Sequence, residues 1–347
     1  RVDVNAQRKD GFCAIIAACA MGHVDVVHAL LAEPHLNIQV QDEGGWAPLF
    51  FAAVAGHCEL VQVLLADPRV DPNLHAHDGS LPLIAACANG HLDIVHALLA
   101  DPRVDINAQR ADGVCAIIAA SRRGRPDVVR ALLAEPHLDV NARDVDGLTS
   151  LFSAVINEHL EVVQVLLADP RVDPNLGNHH GCLPLVTALF NGHLGVVRAL
   201  LSDNRVDVNA RREDGVCAII AASTRGYLDV VRALLADPRV DVNARTESGH
   251  CALVSASSNG NLDVIRTLLA DERVDTNARD NNGWTPLYSA LIHRHLEFGQ
   301  LLLADPRVDP NLGPHDGCFP LLSALLHDEL GFVRALLSNK RIDVNAR

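Results

Sequence analysis

Apolar residues in this chain come in two short bursts separated by a turn, and the pair is followed by a polar stretch. From Pro48 to about Ala55 nearly every residue is apolar, which predicts a short helix opened by proline at a first-turn position. Gly56 then reverses the chain. A second helix is predicted from Glu59 to Ala66, with an acidic residue near its positive end, as at Asp25, Asp93, Asp127 and Asp229 elsewhere. Pro68 stops it, and Arg69 to Asp78 reads as an extended turn ending at Gly79.

The same pattern returns every 34 residues. Glycine stands at 11, 45, 79, 113, 147, 181, 215, 249, 283 and 317, and a Leu-Leu pair follows each, from Leu30-Leu31 to Leu336-Leu337. One slot holds alanine in all ten copies: Ala18, Ala52, Ala86, Ala120, Ala154, Ala188, Ala222, Ala256, Ala290 and Ala324. Helices this short are unstable alone, so each copy must be covered by its neighbours. The 347 residues therefore predict one ten-repeat solenoid over 1–347 in place of two or three separate domains.

A 34-residue period alone would also fit tetratricopeptide repeats. That reading fails because no W-x-x-L-G-x-x-Y pattern occurs and thirteen residues separate Leu65 from Gly79. The residues instead read Gly283-Trp284-Thr285-Pro286-Leu287 with Ala290, Gly90-His91, Ile94-Val95, Leu98-Leu99 and Asp139-Val140-Asn141. Over its whole length the chain resembles the ankyrin repeat family. The resemblance implies an all-α ankyrin-repeat α-solenoid, a right-handed stack of helix-turn-helix units with extended hairpin-like turns. The extra residue falls in the turn after the second helix.

Departures from the family pattern carry their own expectations. Only Thr149 and Thr285 keep the threonine of the family's T-P-L-H segment. Its histidine is replaced by Ile16, Phe50, Ile84, Ile118 and Phe152, so apolar packing should replace that hydrogen-bond network. Glu158, Arg294 and Asp328 stand where the inter-helix glycine belongs, and a left-handed turn there would cost about 1 kcal/mol or more.

A longer period overlies the first. Asp71-Pro72-Asn73-Leu74 recurs at Asp173 and Asp309, and Cys13-Ala14-Ile15-Ile16 recurs at Cys115 and Cys217. A three-repeat module copied in tandem explains this, with modules 11–112, 113–214 and 215–347 and an extra repeat at 249–282. Solenoids need polar caps, and neither end of this array has one. The array is thus expected to continue, or to be covered by other material.

Composition narrows the function classes. A net charge of −14 argues against nucleic acid and anionic membrane surfaces as main partners. The longest apolar run, Phe12 to Met21, is about half of what a membrane span needs, so no direct membrane insertion is expected. Nine cysteines in no zinc-type spacing fit a reducing intracellular setting, in the cytoplasm. Cys13, Cys115, Cys217 and Cys251 begin first helices, where they read as small buried hydrophobes. The copies of Cys217 and Cys251 should sit roughly 8–10 Å apart, too far for a disulfide.

The histidines do not converge. His23, His57, His91, His159 and His193 occupy the Gly-His slot; His77, His179 and His315 fall at turn tips, one per module; His293 and His327 lie on neighbouring first helices with His295 nearby. A zinc site needs three or four ligands on one point, so no metal or other cofactor is expected. No H-E-x-x-H, Walker-type or G-x-S-x-G motif occurs, so the stretch is read as having no catalytic residues.

The family's partners bind a concave face made of turn tips and first helices, so the resemblance selects the residue after each tip glycine and those ending the first helix. In the second and third copies of each module these are apolar: Trp46, Val54 and Ala88; Leu148, Ile156 and Phe190; Trp284, Ile292 and Leu326. They either face a partner or bury against the neighbouring helix. Three modules would place such patches ~30 Å apart, suiting an extended or repetitive partner. Arg143, Arg211, Arg245 and Arg279 follow Asn-Ala in the turns. The last three form a stripe near Arg212 and Arg225, read either as charges paired with Glu213, Asp214 or Asp280, or as a patch for an acidic peptide. Asn107, Asn141 and Asn243 resemble family sites of asparagine hydroxylation.

Three classes of function follow. The first is a non-enzymatic scaffold whose partner is a protein. The second is an architectural segment of a long fibre or membrane-skeleton adaptor with repetitive or self contacts. The third is a regulatory module of an enzyme whose catalytic domain lies elsewhere.

Overall fold

The computed structural model describes residues 3–314 and 317–344. Twenty helices occur among them, arranged in two compact units, Arg1–His180 and Gly181–Arg347. The first unit holds α1 Ala14–Met21, α2 Val24–Leu31, α3 Pro48–Ala55, α4 Cys58–Leu65, α5 Pro82–Asn89, α6 Leu92–Leu99, α7 Ala116–Arg122, α8 Pro126–Leu133, α9 Ser150–Ile156 and α10 Leu160–Ala168. The second holds α11 Pro184–Asn191, α12 Leu194–Leu201, α13 Ala218–Arg225, α14 Leu228–Ala236, α15 Ala252–Asn259, α16 Leu262–Leu269, α17 Pro286–Ile292, α18 Leu296–Ala304, α19 Pro320–Leu326 and α20 Leu330–Ser338.

Each unit has two helical layers. In the first, α1, α3, α5, α7 and α9 stack on one another in order, and α2, α4, α6, α8 and α10 form the second row. In the second unit α11 to α19 and α12 to α20 repeat this arrangement. The alanine slot lies in the tight layer: every one of the ten alanines is buried, because a longer side chain would push adjacent first helices apart. Opposite them Leu60, Val61 and Leu64 fill the space between layers with no exposure. The predicted first helix of the second copy is observed with the same bounds; its second helix begins and ends one residue earlier than expected, at Cys58 and Leu65.

The local chemistry follows the sequence departures. Thr149 Oγ1 accepts from the Phe152 amide and Thr285 Oγ1 from the Tyr288 amide, whereas no other first helix has a side-chain cap. Ile16, Ile84, Ile118 and Phe152 are buried as the apolar replacement requires; Phe50 is half-buried under Trp46. Glu158, Arg294 and Asp328 adopt φ of 58°, 61° and 56°, the left-handed turn that glycine makes in other copies. At the tips glycine answers a second demand, close approach: a Cβ on Gly79 would lie 2.6 Å from the Ala111 nitrogen of the next copy.

The tips are hairpin-like and are tied into a ladder. Arg110 donates its amide to the Val114 carbonyl at 3.0 Å, and the Val145 amide of the next copy reaches the Asp112 carbonyl at 3.0 Å. Below the tip, the asparagine of each Asp-Val-Asn type segment spans to the following copy. Asn107 Nδ2 donates to the His137 carbonyl at 2.9 Å, and its Oδ1 accepts the Asp139 amide at 2.8 Å. Asn141 and Asn243 repeat the donor half at 2.9 and 2.8 Å. The asparagines singled out for hydroxylation are therefore engaged through their carboxamides in the stacking of turns.

Candidate protein-interaction face

The ends of the first helices and the residues after the tip glycines lie together along each unit, as the repeat register requires. In the first unit Val54 and Ile156 are exposed at 39% and 36%, while Ala52, Ala53, Ala154 and Val155 beside them are fully buried. Trp46, Ala88 and Leu148 are half-buried. Trp46 stacks on Phe50 with ring centroids 5.6 Å apart and meets Phe51 edge-on at 6.2 Å. In the second unit Leu326 is 70% exposed; Phe190, Trp284 and Ile292 are half-buried. Trp284 lies 5.8 Å from Tyr288 and 6.5 Å from His293. The tip aromatics pack partly on their own first helix, and the helix-end aliphatics Val54, Ile156 and Leu326 face outward.

A set of aspartates three residues before the tip glycine shapes these tips; the sequence reading named only Asp280 of them, and as a charge partner for arginine. Asp280 Oδ1 accepts from the Asn282 and Trp284 amides at 2.9 and 2.8 Å; Asp144 Oδ1 accepts from Asp146 and Leu148 at 3.0 and 2.8 Å. Asp42 does the same for Gly44 and Trp46. Asp144 and Asp280 are buried, and each gives its second oxygen to a groove neighbour, Arg122 at 2.8 Å and His250 at 3.2 Å. The signal was present as the recurring Asp at 42, 144 and 280, spaced like the longer module.

The arginine stripe is a ladder. Arg211 donates to the Arg245 carbonyl at 3.1 Å and pairs with Asp241 at 3.2 Å; Arg245 donates to the Arg279 carbonyl at 2.6 Å and approaches Asp275 at 3.7 Å. Of the partners expected from sequence, Asp214 pairs with Arg212 at 3.5 Å and Asp280 with His250. Arg211 and Arg245 are exposed, Arg279 is half-buried, and Arg143 is exposed in the first unit.

Cysteines and histidines take structural places. Cys13, Cys115, Cys217 and Cys251 are buried and all nine thiols are free. Burial raises the Cys115, Cys217 and Cys251 thiols above the usual range. His57 and His91 reach the Ala20 and Val54 carbonyls at 3.2 and 3.1 Å, fastening each second helix to the preceding first helix. His159 and His295 make the same bond to Arg122 and Ser258. His293 and His327 turn inward, each Nδ1 to the carbonyl four residues earlier at 2.8 Å. His315 lies outside the described residues. Among the described residues no group of three or more His, Cys, Asp or Glu could hold a metal, and no helix is long and apolar enough to cross a membrane.

Comparison with known families agrees with the geometry. A family profile described as ankyrin repeats, in three copies, matches residues 1–76, 68–144, 136–212, 185–280, 218–314 and 253–347. No individual curated protein matches the chain. With the matches running from end to end and helix pairs repeating in the same register, the chain belongs to the ankyrin repeat family.

Proposed function

We propose that this chain is a non-enzymatic scaffold that binds protein partners on the face made by its turn tips and first-helix ends. Ankyrin repeats are generally protein–protein interaction modules, and the family is typically non-catalytic. The observation that carries the reading to this face is the contrast along single helices. Val54 and Ile156 are apolar and outward, yet the residues immediately before them are fully buried. Folding alone does not call for branched apolar residues at these two places. Trp46 and Leu148 add apolar character in the first unit; in the second, Trp284, Ile292 and Leu326 supply the like character, and Arg211, Arg245 and Arg279 lie in its turns.

The test is affinity capture from the native source, comparing the chain with a Val54→Asp/Ile156→Asp variant shown by circular dichroism to be folded. Proteins retained by the parent and lost by the variant support the face. An identical set on both places the binding surface elsewhere.

A further inference from the structure

Phe190, near the C-terminal end of α11, meets two arginines of the following copy. The guanidinium carbon of Arg212 lies 5.2 Å from the centre of its ring, and that of Arg225, the last residue of α13, lies 5.4 Å from it. A ring face attracts a cation, so the phenyl group draws both guanidiniums toward it. Their carboxylate partners are few. Arg212 has Asp214 at 3.5 Å, with both side chains partly exposed. Arg225 is exposed and has no carboxylate within ion-pair distance among the described residues. Of the other charges nearby, Arg211 is turned to Asp241, and Glu213 lies over Gly181 with both its stem and its carboxyl group. This leaves Arg225 as the cation of the corner without an ion pair among the described residues, beside half-exposed aromatic surface.

The copy 102 residues earlier has the arginines without the ring. Arg110 and Arg123 occupy the places of Arg212 and Arg225, but Ala88 stands where Phe190 does. There Arg110 keeps the equivalent ion pair, to Asp112 at 3.4 Å, and also approaches Asp78 at 4.0 Å, where the later copy has His180; Arg123, like Arg225, is exposed. The arginine pair occurs in both of these copies, whereas the ring beside it is particular to this place.

We propose that Arg212, Phe190 and Arg225 form a docking site for one carboxylate side chain in an extended acidic segment of a protein partner. The carboxylate accepts N–H bonds from both guanidiniums, and an adjacent apolar residue of the segment lies on the open part of the Phe190 ring. Charge complementarity selects this occupant: Arg225 has no carboxylate in reach among the described residues, Arg212 has only the long, partly exposed pair with Asp214, and the floor is apolar. The proposal rests on the binding-face reading above and names the chemistry of one part of that face.

A random 12-residue peptide library displayed on phage, selected on the 1–347 chain, tests it. Selected peptides should be enriched in Asp and Glu beside an apolar residue, and synthetic copies should bind more weakly as salt rises. By fluorescence anisotropy their affinity should fall at least tenfold with Arg225→Gln and with Phe190→Ala. Arg123→Gln, at the ringless copy, should change it less than twofold. Arg225 is exposed, so circular dichroism melting should match that of the parent. Peptides that lose binding with Ile156→Ser or Trp284→Ala but not with Arg225→Gln would leave the binding face standing and remove this site. Equal loss with Arg123→Gln, a selection with no acidic enrichment, or no binding clone at all would also overturn it.

Discussion

The Arg103 guanidinium donates to the Leu65 carbonyl at 2.8 Å, reaching back to the last turn of the preceding copy's second helix. Its other terminal nitrogen donates to the Val70 carbonyl at 2.9 Å, and Asp101 holds the group from below at 2.6 Å. Carbonyls at a helix C-terminus have no partner within the helix, and a cation there also meets the negative end of its dipole. Arg69, Arg171, Arg273, Arg307 and Arg341 repeat the bond to Leu31, Leu133, Leu235, Leu269 and Leu303. The extra turn residue of this array thus sits in a segment that caps one copy with the next.

These Asp–Arg grips predict how acid unfolds the chain. Side-chain hydrogen bonds from the arginine two residues on hold Asp67, Asp101, Asp203, Asp237, Asp271 and Asp305 below the usual carboxylate range. A carboxylate whose folded pKa is depressed contributes its full stability above the unfolded value, about 3.9, and loses it as pH falls through the folded value. Urea midpoints should therefore drop steeply below about pH 4. The triple variant Asp101→Asn/Asp271→Asn/Asp305→Asn should start lower at pH 7 and fall less on acidification. Parallel acid limbs in the two proteins would show that these pairs do not carry the dependence.

The all-alanine slot gives a packing prediction. Ala188 is fully buried in α11, where the first-helix layer is narrowest. Ala188→Leu should destabilise by about 1–3 kcal/mol through overpacking. An unchanged melting temperature would mean that the layer can open without cost.

Arg294 offers a change in the opposite direction. It holds a left-handed turn at φ 61° and is largely exposed, with a salt bridge to Glu329 at 2.9 Å. Glycine would relieve about 1–2 kcal/mol of backbone strain, against a surface pair worth at most about 1 kcal/mol and some added freedom in the unfolded chain. Arg294→Gly should therefore leave stability unchanged or raise it by up to about 1 kcal/mol. A clear loss in urea unfolding would show that the ion pair matters more than the turn.

What could be read from sequence was whatever the repeat fixes locally. The bounds of Pro48–Ala55, the caps at Thr149 and Thr285 and the strained turns at Glu158, Arg294 and Asp328 each depend on a few adjacent residues. What escaped depends on how one turn stacks on the next. Arg211 and Arg245 find Asp241 and Asp275 thirty residues on, in place of most of the neighbours chosen by proximity in sequence. Phe190 gathers Arg212 and Arg225 only because the repeats bring a helix end beneath the next copy's tip. On the proposed binding face, the choice between packing and exposure turned on a fraction of one helical turn. That is finer than a periodic pattern resolves.

The thiols report burial copy by copy. Burial pushes the Cys19 thiol up to about 12 and raises Cys87 further, so both stay protonated and unreactive at pH 8. Cys58, Cys182 and Cys318 are half-buried, and the other six are buried. Native protein should release about three equivalents of thionitrobenzoate quickly from Ellman's reagent and the remainder only on unfolding. Rapid reaction of all nine would mean that the first-helix layer opens readily.

Trp284 in the second unit and Ile156 in the first test whether these residues serve folding or recognition. It is half-buried against Tyr288, which is itself buried, and its amide is held by Asp280 whatever the side chain. Trp284→Ala should therefore lower stability by about 1–2 kcal/mol, part of the cost of emptying a buried aromatic site, as well as weaken any partner that uses the ring. Ile156→Ser removes a more outward residue and should shift the melting temperature by no more than about 2 °C. Measuring both against a captured partner assigns the loss. If Ile156→Ser weakens binding at constant stability, the outward aliphatics are contact residues. Loss confined to Trp284→Ala, in step with its lowered stability, would mean that the tip aromatics serve packing and that recognition lies off this face.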